Sequence, residues 1–229
     1  MSFKPYSHDE ETTEGVRHAC RVQQFLNDHA AALGPVARSA AREQLNALVS
    51  AMGTSADVAA TSRVMATGES ARTRALRRAL HMKHTRQIAA IARAELRDVP
   101  QFEALRLPRG NESTPRLVLR ARAMAAVASE HADVFRAHQL PADFADQLLA
   151  AANAVERSVE RHSTNSRDAA GAREQIAATR SRAHLVVRVL STQVETALEG
   201  DATLLGQWKF AKRVGLRSAT DQVPAGVGA

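Results

Sequence analysis

A chain of 229 residues, 45% of them hydrophobic and 24% charged, has a globular composition and is long enough to bury a substantial core, which excludes a collagen-like or mainly disordered polymer. The single cysteine, Cys20, excludes an internal disulfide framework and a thiolate zinc cage. The formal charge of +7 arises from 27 arginines and four lysines against 24 carboxylates, a balance that admits polyanionic partners but that an alanine- and arginine-rich chain also carries as plain composition.

Aromatic residues make up only 3% of the chain, and frequent alanine suits closely packed helices better than sheets. Ser7 and Glu10 form a capping-box pattern, and Val16, Cys20, Val22, Leu26, Ala30 and Leu33 recur near helical spacing, predicting a first helix over 7–33. Gly34-Pro35 closes it and opens a second helix carrying Val36, Leu45, Leu48, Val49 and Met52 as far as Gly53-Thr54. After a short connector that is itself open to helix, a third helix is predicted over 69–97, with Leu76, Leu80, Ile88 and Ile91 on one side. Pro100, Pro108 and Gly110 interrupt residues 98–113, which read as a linker.

Thr114-Pro115 opens a fourth helix in which Leu117, Met124, Val127, His131 and Val134 keep a 3–4 spacing up to Gln139-Leu140-Pro141. A fifth carries Phe144, Leu148, Ala152, Val155 and Val159 to the polar turn Ser163-Thr164-Asn165, and a sixth covers 166–199 with Ile176, Ala183, Val187, Leu190 and Val194. Gly200 ends it. A short helix over 201–214 carries Leu204, Leu205 and Trp208, and residues 215–229 are expected to form a frayed, disordered tail. The polar, acidic start lacks a signal-peptide run, and no stretch is long and uncharged enough to span a bilayer, so a cytoplasmic location is the default expectation.

The expected fold is therefore all-α: a six-helix up-down bundle with a short C-terminal helix. The halves look alike at a shift of about a hundred residues: Asn27-Asp28-His29-Ala30-Ala31 faces Ser129-Glu130-His131-Ala132-Asp133, Gln44-Leu45 faces Gln147-Leu148, and Ala71-Arg72 faces Ala172-Arg173. Alanine-rich composition can produce some of these matches. If they reflect duplication, 1–97 and 114–214 are pseudo-repeated three-helix units, packed as one domain.

Leu107-Pro108, Gln139-Leu140-Pro141-Ala142-Asp143-Phe144, Ala177-Ala178-Thr179, Val189-Leu190 and the run from Gly200-Asp201 through Leu204-Leu205-Gly206-Gln207-Trp208 to Ala211-Lys212-Arg213-Val214 resemble a group of uncharacterised bacterial all-helical proteins over roughly residues 100–214. The resemblance implies a helical bundle and no activity, and no catalytic residue follows from it.

Residues 61–97 hold nine positive and two negative charges, so the third helix and its approach carry the basic excess. On a regular helix Arg74, Arg77, Arg78 and His81 share one side, whereas Arg72, Lys83, Arg86, Arg93 and Arg97 lie around the other. The preferred reading is a scaffold or interaction protein whose basic helix docks an acidic partner. Sequence-nonspecific nucleic-acid binding through Arg74, Arg77 and Arg78 is an alternative, weakened by the scarcity of aromatics for base stacking and the lack of a helix-turn-helix, zinc or RNA-binding signature.

His29 and His131 sit on the apolar sides of their helices, each after a carboxylate, with His18 three turns before His29. They suggest a metal- or ligand-binding bundle as a further alternative, against which stand the missing Glu-x-x-His and His-x-x-x-His spacings and the commoner occurrence of hydrogen-bonded core histidines. His81 with His84, and Glu156 with Glu160 beside Arg157 and Arg161, offer weaker pairings that a solvated face explains. Walker, dinucleotide and nucleophile-elbow motifs are absent; no enzyme chemistry and no cofactor are expected. Trp208 with Leu204 and Leu205 fits packing across a bundle end, with an interfacial membrane anchor as the alternative. Self-association of the long amphipathic helices is a further expectation.

Overall fold

The computed structural model describes residues 8–108 and 112–213. Every regular element among them is helical: α1 (His8–Asp28), α2 (Ala30–Leu33), a 3-10 turn (Gly34–Arg38), α3 (Ala40–Ala79), a π-helical turn (Leu80–Thr85), α4 (Arg86–Glu95), α5 (Phe102–Leu105), α6 (Thr114–Glu130), α7 (Ala132–Ala137), α8 (Phe144–Ala197) and α9 (Ala202–Arg213). The all-α class stands. The Ser7 capping box and the tail over 215–229 fall outside the described residues.

Two of the helices are longer than the punctuation suggests. Gly53-Thr54 lies within α3 and Ser163-Thr164-Asn165 within α8, so the second predicted helix runs on into the third without a break there, as the fifth does into the sixth. A helical glycine costs about 1 kcal/mol, which continuous packing on both sides offsets. Thr54 donates its hydroxyl to the Ser50 carbonyl at 3.2 Å, bonding back along its own helix instead of ending it.

Two unpredicted interruptions fall at the histidines. His29 has φ −109° and ψ 23° between α1 and α2, and His131 has φ −114° and ψ 31° between α6 and α7. Each leaves the helical region for a single residue. Gly34, with φ 51°, then turns the first of these segments sharply, a conformation that favours glycine over residues with a side chain. The segment over 98–113 is more than a linker: it contains α5, whose Leu105 is fully buried.

The chain forms two compact units, Met1–Ala60 with Asp168–Ala229 and Thr61–Arg167, and passes between them within α3 and within α8. These divisions differ from the sequence halves 1–97 and 114–214. The core of the first unit gathers Val22, Leu26, Leu45, Met52, Leu190, Val194 and Trp208. That of the second gathers Leu80, Ile88, Leu105, Met124, Phe135, Leu148 and Val155.

Candidate functional site

In the second unit the basic segment crosses the π turn. The amide of Arg86 donates to the carbonyl of His81, an i→i+5 bond that widens the helix by one residue. Leu80 and Thr85 at its two ends are fully buried, and Thr85 returns its hydroxyl to the His81 carbonyl at 3.1 Å.

The structure divides the four basic residues expected to act together. Arg77 donates to the carbonyl of Glu112 at 2.6 Å and to Thr114 Oγ1 at 2.9 Å, and His81 Nε2 donates to the Pro108 carbonyl at 3.3 Å. These two hold the segment that leads into α6. Arg74 and Arg78 are exposed, and Arg74 bonds only back to its own helix, at the Ser70 carbonyl. Arg78, Lys83, Arg86 and Arg93 are likewise exposed and meet no ion-pair or side-chain hydrogen-bond partner among the described residues. Elsewhere in the unit Arg106, Arg120, Arg122, Arg136 and Arg161 each reach a carboxylate: Glu103, Glu112, Glu156, Asp133 and Glu69.

A polar knot joins α3 and α8 in the same unit. Ser158 is fully buried and donates its hydroxyl to Glu69 Oε2 at 2.7 Å. Thr73 then donates to Ser158 Oγ at 2.9 Å, and Arg161 Nε meets Glu69 Oε1 at 2.9 Å. The bonds from Ser158 and Arg161 hold the Glu69 carboxyl below its ordinary pKa. His162 donates through Nδ1 to the Ala66 carbonyl at 2.9 Å, so the serine's proton faces a carboxylate and the histidine a backbone oxygen. Ser158 is closed off from solvent, and the group braces two helices.

In the first unit His18, on α1, stacks on His184, on α8, with ring centroids 5.6 Å apart. His18 is nearly buried and donates Nε2–H to the Lys212 carbonyl on α9 at 3.1 Å. Burial lowers its pKa, with Arg21 adding to the effect and the Lys212 carbonyl opposing it. His184 is lowered by burial and by the charges of His18, Arg180 and Arg188. The Lys212 ammonium pairs with Glu195.

His29 lies in this unit, against the Phe25 ring at 4.6 Å, and His131 belongs to the other. No group of three or more His, Cys, Asp or Glu among the described residues is placed to hold a metal ion. Trp208 is fully buried, 5.3 Å from Phe25, so the apolar side of α9 faces the core. No described helix is long and apolar enough to cross a membrane.

No protein family, curated protein or solved structure matches the chain. The functional reading therefore stands on these residues. Sequence reasoning missed the π turn, the partnership of His184 with His18 and the Glu69–Ser158 knot. Pairs between helices distant in sequence leave no local pattern.

Proposed function

We propose that the chain is an internally duplicated helical interaction protein whose basic segment, 69–97, docks an acidic partner. The observation that carries this reading is the run of Arg78, Lys83, Arg86 and Arg93 along one helical segment, all exposed and unpaired among the described residues, whereas elsewhere in the unit five arginines each meet a carboxylate and Arg116 and Arg157 are exposed without one. Exposed cations with no internal counter-charge keep their full field for a partner.

The duplication draws support from burial. Ala19, Val22, Leu26 and Leu33 match buried Ala121, Met124, Ala128 and Phe135 at a shift of 102 residues, and His29 matches His131 in both shift and backbone angles. Leu45, Met52, Ser55, Ala66 and Leu80 match Leu148, Val155, Ser158, Ala169 and Ala183 at 103, a register in which Ala71-Arg72 faces Glu174-Gln175 and the pairing with Ala172-Arg173 drops out. Thr85, Ile88, Ala92 and Leu96 match Val187, Leu190, Val194 and Leu198 at 102 again. The drift back falls between 80 and 85, where the π turn accommodates one extra residue in the first half. On this reading each compact unit combines the first part of one repeat with the last part of the other, as in a domain-swapped dimer joined into one chain.

A fluorescence-anisotropy titration with labelled polyglutamate at several salt concentrations tests the docking reading. Binding that weakens with salt and is lost in Arg78→Ala/Arg86→Ala/Arg93→Ala is expected. No binding of polyglutamate at low salt overturns it.

A further inference from the structure

The π turn changes which arginines share a face. On a regular helix, counted at about 100° per residue, Arg86 and Arg93 stand roughly 100–120° away from Arg74. The π turn absorbs one residue, so every position after it falls back by about 100°. Arg86 and Arg93 then come into line with Arg74 and Arg78, all four within roughly 40° of arc, along a rail about 28 Å long. Arg77 falls off the rail, consistent with its bonds to Glu112 and Thr114.

Met82, 48% exposed, lies between Arg78 and Arg86 on the same line, and Ala90 lies beside it before Arg93. A phosphate-tracking rail gains nothing from an exposed thioether, whereas methionine adapts to apolar side chains of many shapes. The gaps of four, eight and seven residues are multiples of helical turns, so carboxylates on one face of a second helix can meet the guanidinium groups in succession. Arginine's planar fork suits a carboxylate in two-bonded geometry.

The duplication supplies an internal comparison. The positions on α8 equivalent to Arg74, Arg78, Met82, Arg86, Ala90 and Arg93 are Ala177, Ser181, Leu185, Arg188, Thr192 and Glu195. That face keeps the exposed apolar centre, with Leu185 62% exposed, and carries one cation and one carboxylate in place of four cations. The fold thus accepts neutral residues at these positions, and the arginine row answers to something outside it.

We infer that Arg74, Arg78, Met82, Arg86 and Arg93 form a docking rail for an acidic amphipathic helix of a partner protein, with carboxylates meeting the arginines and an apolar side chain on Met82. This rests on the docking reading above and narrows it to one class of partner.

The test uses the full chain and four labelled probes: a helical peptide with glutamates at the rail's spacing around a central leucine, a scrambled peptide of equal composition, polyglutamate, and duplex DNA with single-stranded RNA. The spaced peptide should bind at least about tenfold more tightly than the scrambled one, a difference of about 1.4 kcal/mol. Arg78→Glu/Arg86→Glu should abolish that preference, whereas Arg182→Glu/Arg188→Glu, an equal charge change on exposed positions of α8, should leave it intact. Equal binding of spaced peptide, scrambled peptide and polyglutamate overturns the rail while leaving a general acidic partner standing. Tighter binding of nucleic acid than of any peptide, falling linearly in log salt, overturns it in favour of a phosphate-contacting surface. No binding of any acidic probe at low salt overturns both readings.

Discussion

The imidazoles of His18 and His184 stack 5.6 Å apart with their planes 25° from parallel, and His18 ties α1 to the last turn of α9 through the Lys212 carbonyl. Both pKa values lie below the ordinary 6.5, chiefly through burial, and the nearby charges of Arg21, Arg180 and Arg188 also disfavour protonation. Well above pH 6.5 the folded and unfolded chains both keep these rings neutral, so they add no pH dependence there. Below it the unfolded chain takes up protons that the folded chain refuses, and stability falls until the folded pKa values are reached. Thermal unfolding followed from about pH 8 to pH 5 should show the midpoint dropping with acidity, with a shallower slope in His18→Gln/His184→Gln. An identical slope in wild type and variant removes the pair as the cause.

Glu69 behaves in the opposite sense. Its carboxyl is held below the ordinary 4.5 by the hydrogen bonds from Ser158 and Arg161. The stability it supplies is therefore complete above that value and is lost as pH falls through the lower folded value. Glu69→Gln should lower the midpoint at neutral pH and flatten the acid limb, because a neutral amide has no such proton to bind. Ser158→Ala should give a smaller loss in the same direction, since it leaves the Arg161 bond in place. A Glu69→Gln curve parallel to wild type through the acid limb contradicts this account.

Trp208 is fully buried, and its indole Nε1 finds no hydrogen-bond acceptor among the described residues. Emptying its site should cost about 3 kcal/mol or more in Trp208→Ala, the usual range for a large buried aromatic. Trp208→Phe keeps most of the ring and discards a buried donor whose desolvation is uncompensated, so its cost should be less than half that. Denaturant unfolding of the two variants measures the difference. Equal losses mean that the indole nitrogen has a partner in solution.

Helical class, most core positions and the buried Trp208 were legible because each is a matter of local periodicity or of one amphipathic face, although Cys20, placed in the first apolar stripe, is exposed. Gly53-Thr54 and Ser163-Thr164-Asn165 misled because turn-forming residues record only local preference, and a long helix buried along one side overrides about 1 kcal/mol at a single glycine. His29 and His131 were read as apolar-face residues. Their actual peculiarity is a backbone break, which no spacing rule marks. The angular map of the basic segment assumed uniform 100° steps, which a π turn does not keep, and the one extra residue it takes up changes the angle counted between positions on its two sides.

That extra residue makes a sharp test of the duplication. Leu80 and Ile88 stand eight residues apart, whereas their counterparts Ala183 and Leu190 stand seven apart. Deleting exposed Lys83 should convert the π turn to regular helix while leaving the buried residues on both sides facing the core, at a cost within about 1–2 kcal/mol, of the order of a typical single substitution. Deleting exposed Ala47, in the regular part of α3 between buried Leu45 and Val49, should turn the residues on one side of it by about 100° out of the first unit's core and disrupt folding. Thermal unfolding of the two deletions decides the matter; equal damage from both contradicts the insertion account.

Under the proposed duplication, the crossing of repeats between units carries its own consequence for fragments. The second unit takes its core from Leu80, Ile88 and Ala92 of the first half and from Met124, Leu148 and Val155 of the second. A fragment of residues 114–213 has no 61–105 segment to complete that core, but it retains 168–213, the counterpart of the missing part under the duplication. Two copies can therefore complete each other, each lending its last part to the other's first, at the expense of association entropy. Such a fragment should run as a dimer in sedimentation velocity and unfold at a midpoint that rises with its concentration. A folded monomer with a concentration-independent midpoint argues that each repeat closes on itself, and the swapped arrangement would then have to be abandoned.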